Sequence, residues 1–506
     1  MGTEKLWATL KPAAEPRSLL DLSVEAFEKN SRGIRSLIIG VDISVRLNSC
    51  VAALKTASLH AHTGPNPALR AFFYQLCQFS KAPAIVLVFI FDGPGRPGIK
   101  RGTRVVNRPL AIMEAAKRLI KAFGYYFYEA PGEAEAELAV LNKLGFIDGV
   151  VTEDSDALVF GADCVIRTTG PTVTHVCDIY RSSSIAQTTG LTSEGLLLFA
   201  LLTGGDYGPG IHGCGGEIAR ALAVCGYGRE LVEILSSCSG TKLRRALDVW
   251  RHAFCEELRT NSAGVLGRRY RRLSSRIPNT FPNLAIARLY LDPLTSFSSD
   301  FVGAQPNTAD WIPREPGIAQ ITRICLEKFH WGPESERQTI FKQFECNLWP
   351  GVALRMFTSP SASYDHSTGK IKSANAVAAI LSNKGSRAKT TPSRSIRLST
   401  HDFVKQTALS NLDLESASIT IAVPVRLVEW VYLSRNASTA SEFQIARAQA
   451  LNIPSSKILS DRLPRQLDLA EEPDYQSDDE EVCNQLHSAT LKLLQSQPSC
   501  LYPWEY

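Results

Sequence analysis

Short hydrophobic runs recur through the first third of the chain, separated by stretches whose apolar residues repeat at helical spacing. Runs of this kind are typical of strands buried on both faces. They occur at residues 37–44, 84–93, 124–129, 149–152 and 164–168, and helical patterns lie between them, as at 67–82 and 109–123. Strands that alternate with helices predict an α/β fold with a central, mostly parallel sheet flanked by helices.

Acidic residues stand at the ends of the first four predicted strands. They are Asp42, Asp92, Glu133, Glu135, Asp154 and Asp156. Because the carboxyl ends of parallel strands meet at one edge of a sheet, we expect these side chains to converge. Clustered acids repel one another unless a cation neutralises them, and oxygen ligands without nearby His or Cys suit Mg²⁺ or Mn²⁺. A solvated charged face is the alternative, but the acids stand at element ends and not along a stripe.

Residues 191–224 predict a helix, a glycine-rich loop and a second helix. Asp206 stands where the first helix ends and is a candidate seventh acid of the same site. The loop contains Gly208, Gly210, Gly213 and Gly215. Glycines let a backbone approach a phosphate closely, and the helix that follows offers free N–H groups. An ordinary packing corner between two helices is the alternative interpretation.

Composition narrows the class of protein without identifying it. The 506 residues leave room for about three domains, and a net charge of +5 is too small to indicate nucleic-acid binding by itself. The 12 cysteines include no CxxC pair, which argues against structural zinc and indicates reduced thiols in an intracellular protein. No apolar run is long enough to span a membrane, and the N-terminus lacks the apolar core of a secretory signal.

Several motifs occur in a familiar order. VDIS, FDG, EAEAE, TEDSDALVF and GGDYGPGIHGCG, preceded by an N-terminal MG…LW, resemble the flap-endonuclease/XPG family of structure-specific 5′ nucleases. The resemblance covers about residues 1–230, and within the family the chain looks most like the eukaryotic (fungal) Holliday junction resolvase branch. It implies a PIN-like 5′-nuclease core, a helix–two-turn–helix formed by the glycine loop, and a nuclear DNA endonuclease.

The resemblance also assigns roles to residues. The seven acids, Asp206 included, would hold two Mg²⁺ ions, for which Mn²⁺ can substitute, and a K⁺ ion would bind at the helix–two-turn–helix. Lys100 most resembles the family lysine that reaches the scissile phosphate. The expected DNA contacts are Gly2, Arg101, Arg104, Arg108, Gly208, Gly210, Gly213, Gly215, Arg268, Arg269, Arg271 and Arg272. The last four belong to a basic stretch at 267–276 that suits phosphate tracking, although a solvated basic face is the alternative.

Two departures from the family pattern affect the N-terminal region. Thr3 stands where an apolar residue is usual, and residues 15–36 lengthen the approach to the first strand. We expect the nuclease core at 1–350, with N- and I-type regions to about 190, the helix–two-turn–helix at 191–230 and a helical extension at 231–350. A small chromodomain-like, β-rich module is expected at 351–440, with a polar insertion or linker at 358–395. A helical and acidic tail would follow at 441–506.

The segment after Asp92 bears on the substrate. Flap endonucleases, which the chain resembles, thread a free single-stranded end beneath a helical arch in this part of the chain. Residues 93–108 are basic and rich in glycine and proline, and they are too few to form two stable helices of such an arch. An open site admits DNA without a free end, which a Holliday junction requires. Because one nuclease core cuts one strand, we expect a monomer in solution that acts as a dimer on a junction and makes paired symmetric cuts. We expect it to cut 5′ flaps and forks as well. The alternatives are a 5′ flap endonuclease, a catalytically silent branched-DNA binder and an RNA-directed nuclease. No sliding-clamp motif is evident.

Overall fold

The computed structural model describes residues 2–433, except for stretches at 4, 32, 57–64, 101, 105–111, 169–175, 332–339, 366, 375, 386–391, 408 and 410–417. The predicted tail at 441–506 lies outside the described residues, as do Arg101 and Arg108. The strands are β1 (Glu15–Ser18), β2 (Leu37–Asp42), β3 (Ile85–Phe91), β4 (Ile99–Lys100), β5 (Thr103–Arg104), β6 (Tyr126–Glu129), β7 (Gly149–Val151), β8 (Cys164–Arg167), β9 (Val176–Arg181), β10 (Ser363–Asp365), β11 (Lys370–Lys372), β12 (Val377–Gly385), β13 (Ser393–Ser399) and β14 (Ser418–Pro424).

Helices pack on both faces of the central strands β2 and β3 and continue along the chain beyond β9. They are α1 (Leu6–Leu10), α2 (Leu19–Lys29), α3 (Ile43–Thr56), α4 (Pro67–Ser80), α5 (Met113–Ala122), α6 (Ala134–Lys143), α7 (Asp156–Val159), α8 (Ser182–Thr189), α9 (Ser193–Thr203), α10 (Gly216–Val224), α11 (Tyr227–Ser237), α12 (Gly240–Thr260), α13 (Arg271–Ser274), α14 (Leu284–Leu291), α15 (Ile318–Phe329), α16 (Trp349–Met356), α17 (His401–Gln406) and α18 (Val425–Leu433). Within the described part of the chain no single helix is long and apolar enough to cross a membrane, and the pair α8 and α9, which together would be, is bent by 70°.

A seven-stranded sheet in the order β1-β9-β8-β7-β2-β3-β6 forms the centre of the nuclease region. The five predicted strands, β2, β3, β6, β7 and β8, pair in parallel, which confirms the mostly parallel sheet. Strands β8, β9 and β1 pair antiparallel at one edge. Strand β1 has no apolar run to reveal it, and its Pro16 is tolerated because an edge strand has ladder positions that need no N–H donor. The inserted segment at 15–36 thus adds an edge strand and helix α2.

Side chains of the central strands alternate between two hydrophobic cores. In β3, Ile85, Leu87 and Phe89 join the core on one face, while Val86 and Val88 join the core on the other. Such a strand is apolar throughout because both of its faces are covered by helices. This two-sided burial explains why β2 and β3 were evident from their sequences, and it holds their carboxyl ends at a common edge.

The β-rich C-terminal module is an antiparallel sheet in the order β10-β11-β12-β13-β14, followed by α18. It shares a core with one face of the nuclease region, where the ring centroids of Trp349 and Phe403 lie 6.2 Å apart and those of Phe27 and Trp430 lie 5.5 Å apart. Phe403 of the module is fully buried and is a residue of this shared core. The predicted boundary at residue 350 falls inside α16, since a proline in the first turn does not interrupt a helix.

The interpretation of residues 358–395 as a polar insertion or linker was wrong. Strands β10, β11 and β12 and the start of β13 lie there. A sheet with one solvated face needs an apolar residue only at alternate positions, and here small residues fill several of these, such as the buried Ala378. Serine, alanine and lysine therefore dominated the composition and concealed the strands.

Candidate active site

The structure brings the seven predicted acids together at the carboxyl edge of the parallel strands. Asp42 ends β2, Asp92 follows β3, Asp154 follows β7 and Asp206 follows α9. The remaining three are Glu133, Glu135 and Asp156, at the first turns of α6 and α7. All except the half-buried Asp92 are buried.

Hydrogen bonds from neighbouring elements hold the first carboxylates in place. The backbone N–H of Ser44 donates to Asp42 Oδ1 at 2.8 Å, and the Ser44 hydroxyl donates to Asp92 Oδ2 at 2.9 Å. The N–H of Ala134, in the first turn of α6, donates to Asp92 Oδ1 at 3.0 Å. The N-terminus of a helix favours a negative charge, so α6 stabilises Asp92 while it carries the glutamate pair.

Burial and mutual repulsion penalise the charged forms of these acids. Burial, reinforced by Asp92, raises the pKa of Asp42 to about 7, and burial together with Asp154 raises the pKa of Asp156 to about 7. Burial also raises the pKa of Glu133 and Asp154, and that of Glu135 to well above its ordinary value. Grouped carboxylates with raised pKa values are a site where a cation is strongly favoured.

Lys100 supplies one positive charge to this group from the β4–β5 hairpin. Its ammonium contacts Glu133 and lies 3.5 Å from Glu135 Oε2 and 3.4 Å from Asp206 Oδ2. Burial lowers the pKa of Lys100, but the charges of Glu135 and Glu133 outweigh burial and raise it above its ordinary value. Lys100, which the family resemblance assigns to the scissile phosphate, thus lies in contact with three of the acids.

The donor set fits a hard divalent cation in its chemistry. It consists of carboxylate oxygens, which Mg²⁺ and Mn²⁺ prefer, and it carries more negative charge than one lysine balances. Three of the carboxylates, Glu133, Glu135 and Asp206, contact the Lys100 ammonium. Among the residues that the structure describes, no three Asp, Glu, His or Cys side chains are spaced to hold a metal ion.

The N-terminal segment lies directly against the acids. Gly2 is buried with φ +83°, and a Cβ built on it would lie 2.1 Å from Asp154 Oδ1 and 2.8 Å from Asp156 Oδ1. Only glycine fits so close to these oxygens. Gly2, expected among the DNA contacts, is therefore part of the wall of the acidic site.

Sequence reasoning missed several residues of this region. Tyr207 donates to Glu133 Oε2, and Arg96 Nη1 lies 3.1 Å from Asp92 Oδ2. Glu137, fully buried, accepts from the Tyr128 hydroxyl and from the backbone N–H of Ser296, each at 2.8 Å. Tyr207 could have been found because it follows Asp206 directly, whereas the contact of Glu137 with Ser296 could not, since the two are 159 residues apart.

The glycine loop joins α9 to α10 as predicted. Gly210 has φ +71°, and a Cβ there would lie 2.4 Å from the backbone nitrogen of Gly204, so the loop folds tightly back on the end of α9. Gly208 is half-buried against Ile286, and Gly213 is exposed. Helix α10 starts after Gly215 without a side-chain cap, so its first N–H groups have no side-chain partner from that residue.

The basic stretch at 267–276 adjoins this loop. A Cβ built on Gly213 would lie 4.0 Å from Leu273 Cδ1, on α13, and 4.0 Å from Arg276 Nη1, just after α13. The four predicted arginines of the stretch are exposed: Arg268, Arg269, Arg271 and Arg272. Arg104 is exposed on β5. The structure therefore places the arginine stretch and the glycine loop side by side, while Arg104 belongs to the separate Lys100 hairpin.

Gly213 and Gly215 form a matched pair for testing the loop. Both positions have room for a Cβ, but Gly213 has φ +87° and Gly215 has φ −84°. We expect Gly213→Ala to weaken binding to duplex DNA more than Gly215→Ala does, because the left-handed conformation at Gly213 costs an L-residue about 1–2 kcal/mol. Fluorescence anisotropy with a labelled duplex measures both. Equal affinities for the two variants would show that this loop conformation is not needed for binding.

Comparisons with known proteins agree with this geometry. A family profile described as the XPG I-region matches residues 124–206. Flap endonuclease GEN homolog 1 of Mus musculus is 29% identical over 254 residues, which cover 46% of this chain and 26% of that protein. Flap endonuclease GEN-like 1 of Arabidopsis thaliana is 31% identical over 229 residues, which cover 40% of this chain and 35% of that protein. The chain thus spans about a quarter to a third of the length of these curated relatives.

Solved structures resemble the chain over a larger part of its length. A eukaryotic junction-resolving enzyme GEN-1 bound to sodium is 25% identical with a TM-score of 0.64, and the match covers 85% of this chain and 96% of that one. A Holliday junction-resolving enzyme GEN1 in complex with product DNA and a Mg²⁺ ion is 24% identical with a TM-score of 0.62, covering 88% and 100%. The second likeness is one of fold.

Proposed function

We propose, from its resemblance to flap-endonuclease/XPG nucleases of the GEN type, that this chain is a Mg²⁺-dependent DNA endonuclease that resolves Holliday junctions by paired symmetric cuts. The observation that carries the proposal is the group of seven carboxylates, three of which contact Lys100, together with the basic stretch that adjoins the glycine loop. A protein that only bound DNA would gain nothing from buried anions beside phosphates. The proposed location is the nucleus.

The acidic site supplies the chemistry in this proposal. The seven acids would hold two Mg²⁺ ions, which orient a water molecule and neutralise the scissile phosphate when bound. Lys100 extends from its hairpin to the same place, so its ammonium is available to the phosphate as well. Tyr207 holds Glu133, and Ser44 links Asp42 to Asp92, which keeps ligands from both halves of the sheet edge in fixed positions.

Phosphate contacts outside the acidic site would position the duplex. The loop backbone around Gly213 and the first turn of α10, which has no side-chain cap, would bind one strand, with a K⁺ ion at the same loop. Arg268, Arg269, Arg271 and Arg272 would follow the phosphates beyond it. We further propose that the β10–β14 sheet with α18 is a chromodomain-like module that contacts a second arm of the junction.

The entrance to the site favours DNA without a free end. The described part of the segment after Asp92 is the β4–β5 hairpin, whose Lys100 docks onto the acids. Between Asp92 and the start of α5 at Met113 only twenty residues remain, and two stable arch helices need roughly 12–15 residues each. A DNA strand therefore need not be threaded through an enclosure. A four-way junction, which has no free end, could not be threaded. We propose a monomer in solution and two chains on one junction.

A 5′ flap endonuclease is the second candidate function, because the curated relatives carry that name. A supercoiled plasmid that extrudes a cruciform separates the two. Paired cuts within the lifetime of one complex give linear product, which we expect, and single cuts give nicked circles. On a 5′ flap whose end carries a bulky adduct, we expect cleavage to persist. Predominantly nicked plasmid together with a strict need for a free 5′ end would establish the flap endonuclease and overturn the resolvase.

A further inference from the structure

Asp156 is held on both of its carboxylate oxygens by residues that are distant from it in sequence. The backbone N–H of Thr3 donates to Asp156 Oδ1 at 2.6 Å, and the Thr3 hydroxyl donates to the same oxygen at 2.8 Å. The hydroxyl of Tyr290 donates to Asp156 Oδ2 at 3.1 Å. All three residues are buried, each at 3% exposure, so water does not compete for these bonds.

The two hydroxyls are themselves held in place. The ring of Tyr290, on α14, packs with ring centroids 4.8 Å from Tyr207 and 5.4 Å from Phe160. A Cβ at Gly205 would lie 2.9 Å from the Tyr290 hydroxyl and 3.2 Å from Thr3 Oγ1, so both hydroxyls lie beside the backbone that leads into Asp206. The missing side chain at Gly205 leaves room for this arrangement.

We propose that Thr3 and Tyr290 are positioning residues that orient Asp156 for metal binding. This inference rests on the proposed function, because it takes Asp156 to be a ligand. Three donors from two residues, placed on opposite oxygens, restrict the rotation of the carboxylate and stabilise its charged form. An ordered, ionised ligand loses less freedom when a cation binds, which is how partners behind the ligands increase metal affinity.

The Thr3 hydroxyl is a feature of this chain and not of the family pattern that it resembles, in which an apolar residue is usual at that position. The Thr3 hydroxyl adds a second donor to Asp156 Oδ1, which the Thr3 backbone N–H already contacts. Tyr290 comes from the helical extension, outside the ordered motifs. The metal site therefore depends on the first residues of the chain and on α14 as well as on the motif residues.

Tyr128 provides a matched control. Its hydroxyl donates to Glu137 at 2.8 Å, so it forms the same kind of tyrosine–carboxylate bond with a buried acid. Glu137 is not one of the seven acids. Tyr128→Phe therefore removes an equivalent bond that supports the fold, while Tyr290→Phe removes one that also supports the site.

The test measures metal binding without DNA on the full-length protein. Terbium(III) luminescence gives the dissociation constant of the ion for the wild type, Tyr290→Phe, Thr3→Val, the double variant and Tyr128→Phe. We expect Tyr290→Phe and Thr3→Val each to weaken binding by about 10-fold, the lower end of the usual effect of such partners, and the double variant to weaken it further. Tyr128→Phe should bind as the wild type does, and Thr3→Ser, which keeps the hydroxyl, should restore affinity.

Cleavage provides a second measurement. For Tyr290→Phe the Mg²⁺ concentration at half-maximal rate should rise by a similar factor, and saturating Mg²⁺ should restore most of the rate. If Tyr290→Phe and Tyr128→Phe lower thermal stability equally and neither changes terbium affinity, Tyr290 is only a structural residue and the inference is overturned. If the wild type binds terbium but cuts no branched DNA, the proposed function fails while the affinity comparison still decides the role of Thr3 and Tyr290.

Discussion

Asp42→Asn is expected to abolish cleavage of every branched substrate while the protein still binds DNA. Asp42 ends β2 at 2% exposure, and Asn keeps the oxygen that accepts from the Ser44 N–H, so the local fold should persist. The variant loses the charge that a metal ligand needs. We expect the rate to fall by more than the roughly 10–100-fold that removal of a partner behind a ligand costs, because Asp42 is itself one of the proposed ligands.

Single-turnover cleavage and gel-shift affinity should be measured on the same preparations. The proposed phosphate contacts come from the glycine loop and the arginines and not from Asp42, so affinity should be close to that of the wild type. Glu133→Gln combined with Glu135→Gln should behave in the same way as Asp42→Asn. Glu137→Gln is the matched control, since it neutralises a fully buried acid outside the group and should keep cleaving. A parallel loss of binding and cleavage in Asp42→Asn would show instead that the acid supports the fold.

Truncation after Phe357 is expected to unfold or aggregate the nuclease region, although no acid of the site lies beyond Asp206. The module shares a core with the helices on one face of the seven-stranded sheet. In this core, the fully buried Trp349 and Phe357 pack with three buried residues of the module: Ile396, Leu398 and Phe403. Removal of the module would expose this apolar surface to water, at about 25 cal/mol per Å². The module is therefore part of the nuclease fold and not an independent attachment.

Truncation after Ala450 is the control, because it leaves the compact unit Met1–Ala450 intact. We expect this shorter loss to leave the thermal midpoint unchanged, while the protein that ends at Phe357 loses a cooperative transition. Phe403→Ala tests the shared core within the full chain. We expect it to lower the free energy of unfolding, measured by urea denaturation, by about 3–5 kcal/mol. A soluble, cooperatively folded protein that ends at Phe357 would contradict the shared core.

The acidic site could be predicted from the sequence because its determinants are local. Each of Asp42, Asp92 and Asp154 stands at the end of an apolar run or within three residues of it, and a buried parallel strand ends at a known edge of its sheet. The glycine loop was equally evident, since positive φ angles at Gly210 and Gly213 require the residue that the sequence supplies. For these elements, local pattern and global fold agree.

The tertiary structure alone decided which distant side chains support that site. The bonds from Thr3 and Tyr290 to Asp156 span 153 and 134 residues, and no periodicity relates residues so far apart. The same holds for β1, whose four residues carry no apolar run and form a strand only because β9 offers an unpaired edge. Strands β10 to β12 were likewise decided by the tertiary structure, because a sheet with one solvated face needs few apolar residues. The sequence thus determined where the acids lie, because strand ends are set by local hydrophobicity, whereas folding determined what holds them, because that depends on contacts between distant segments.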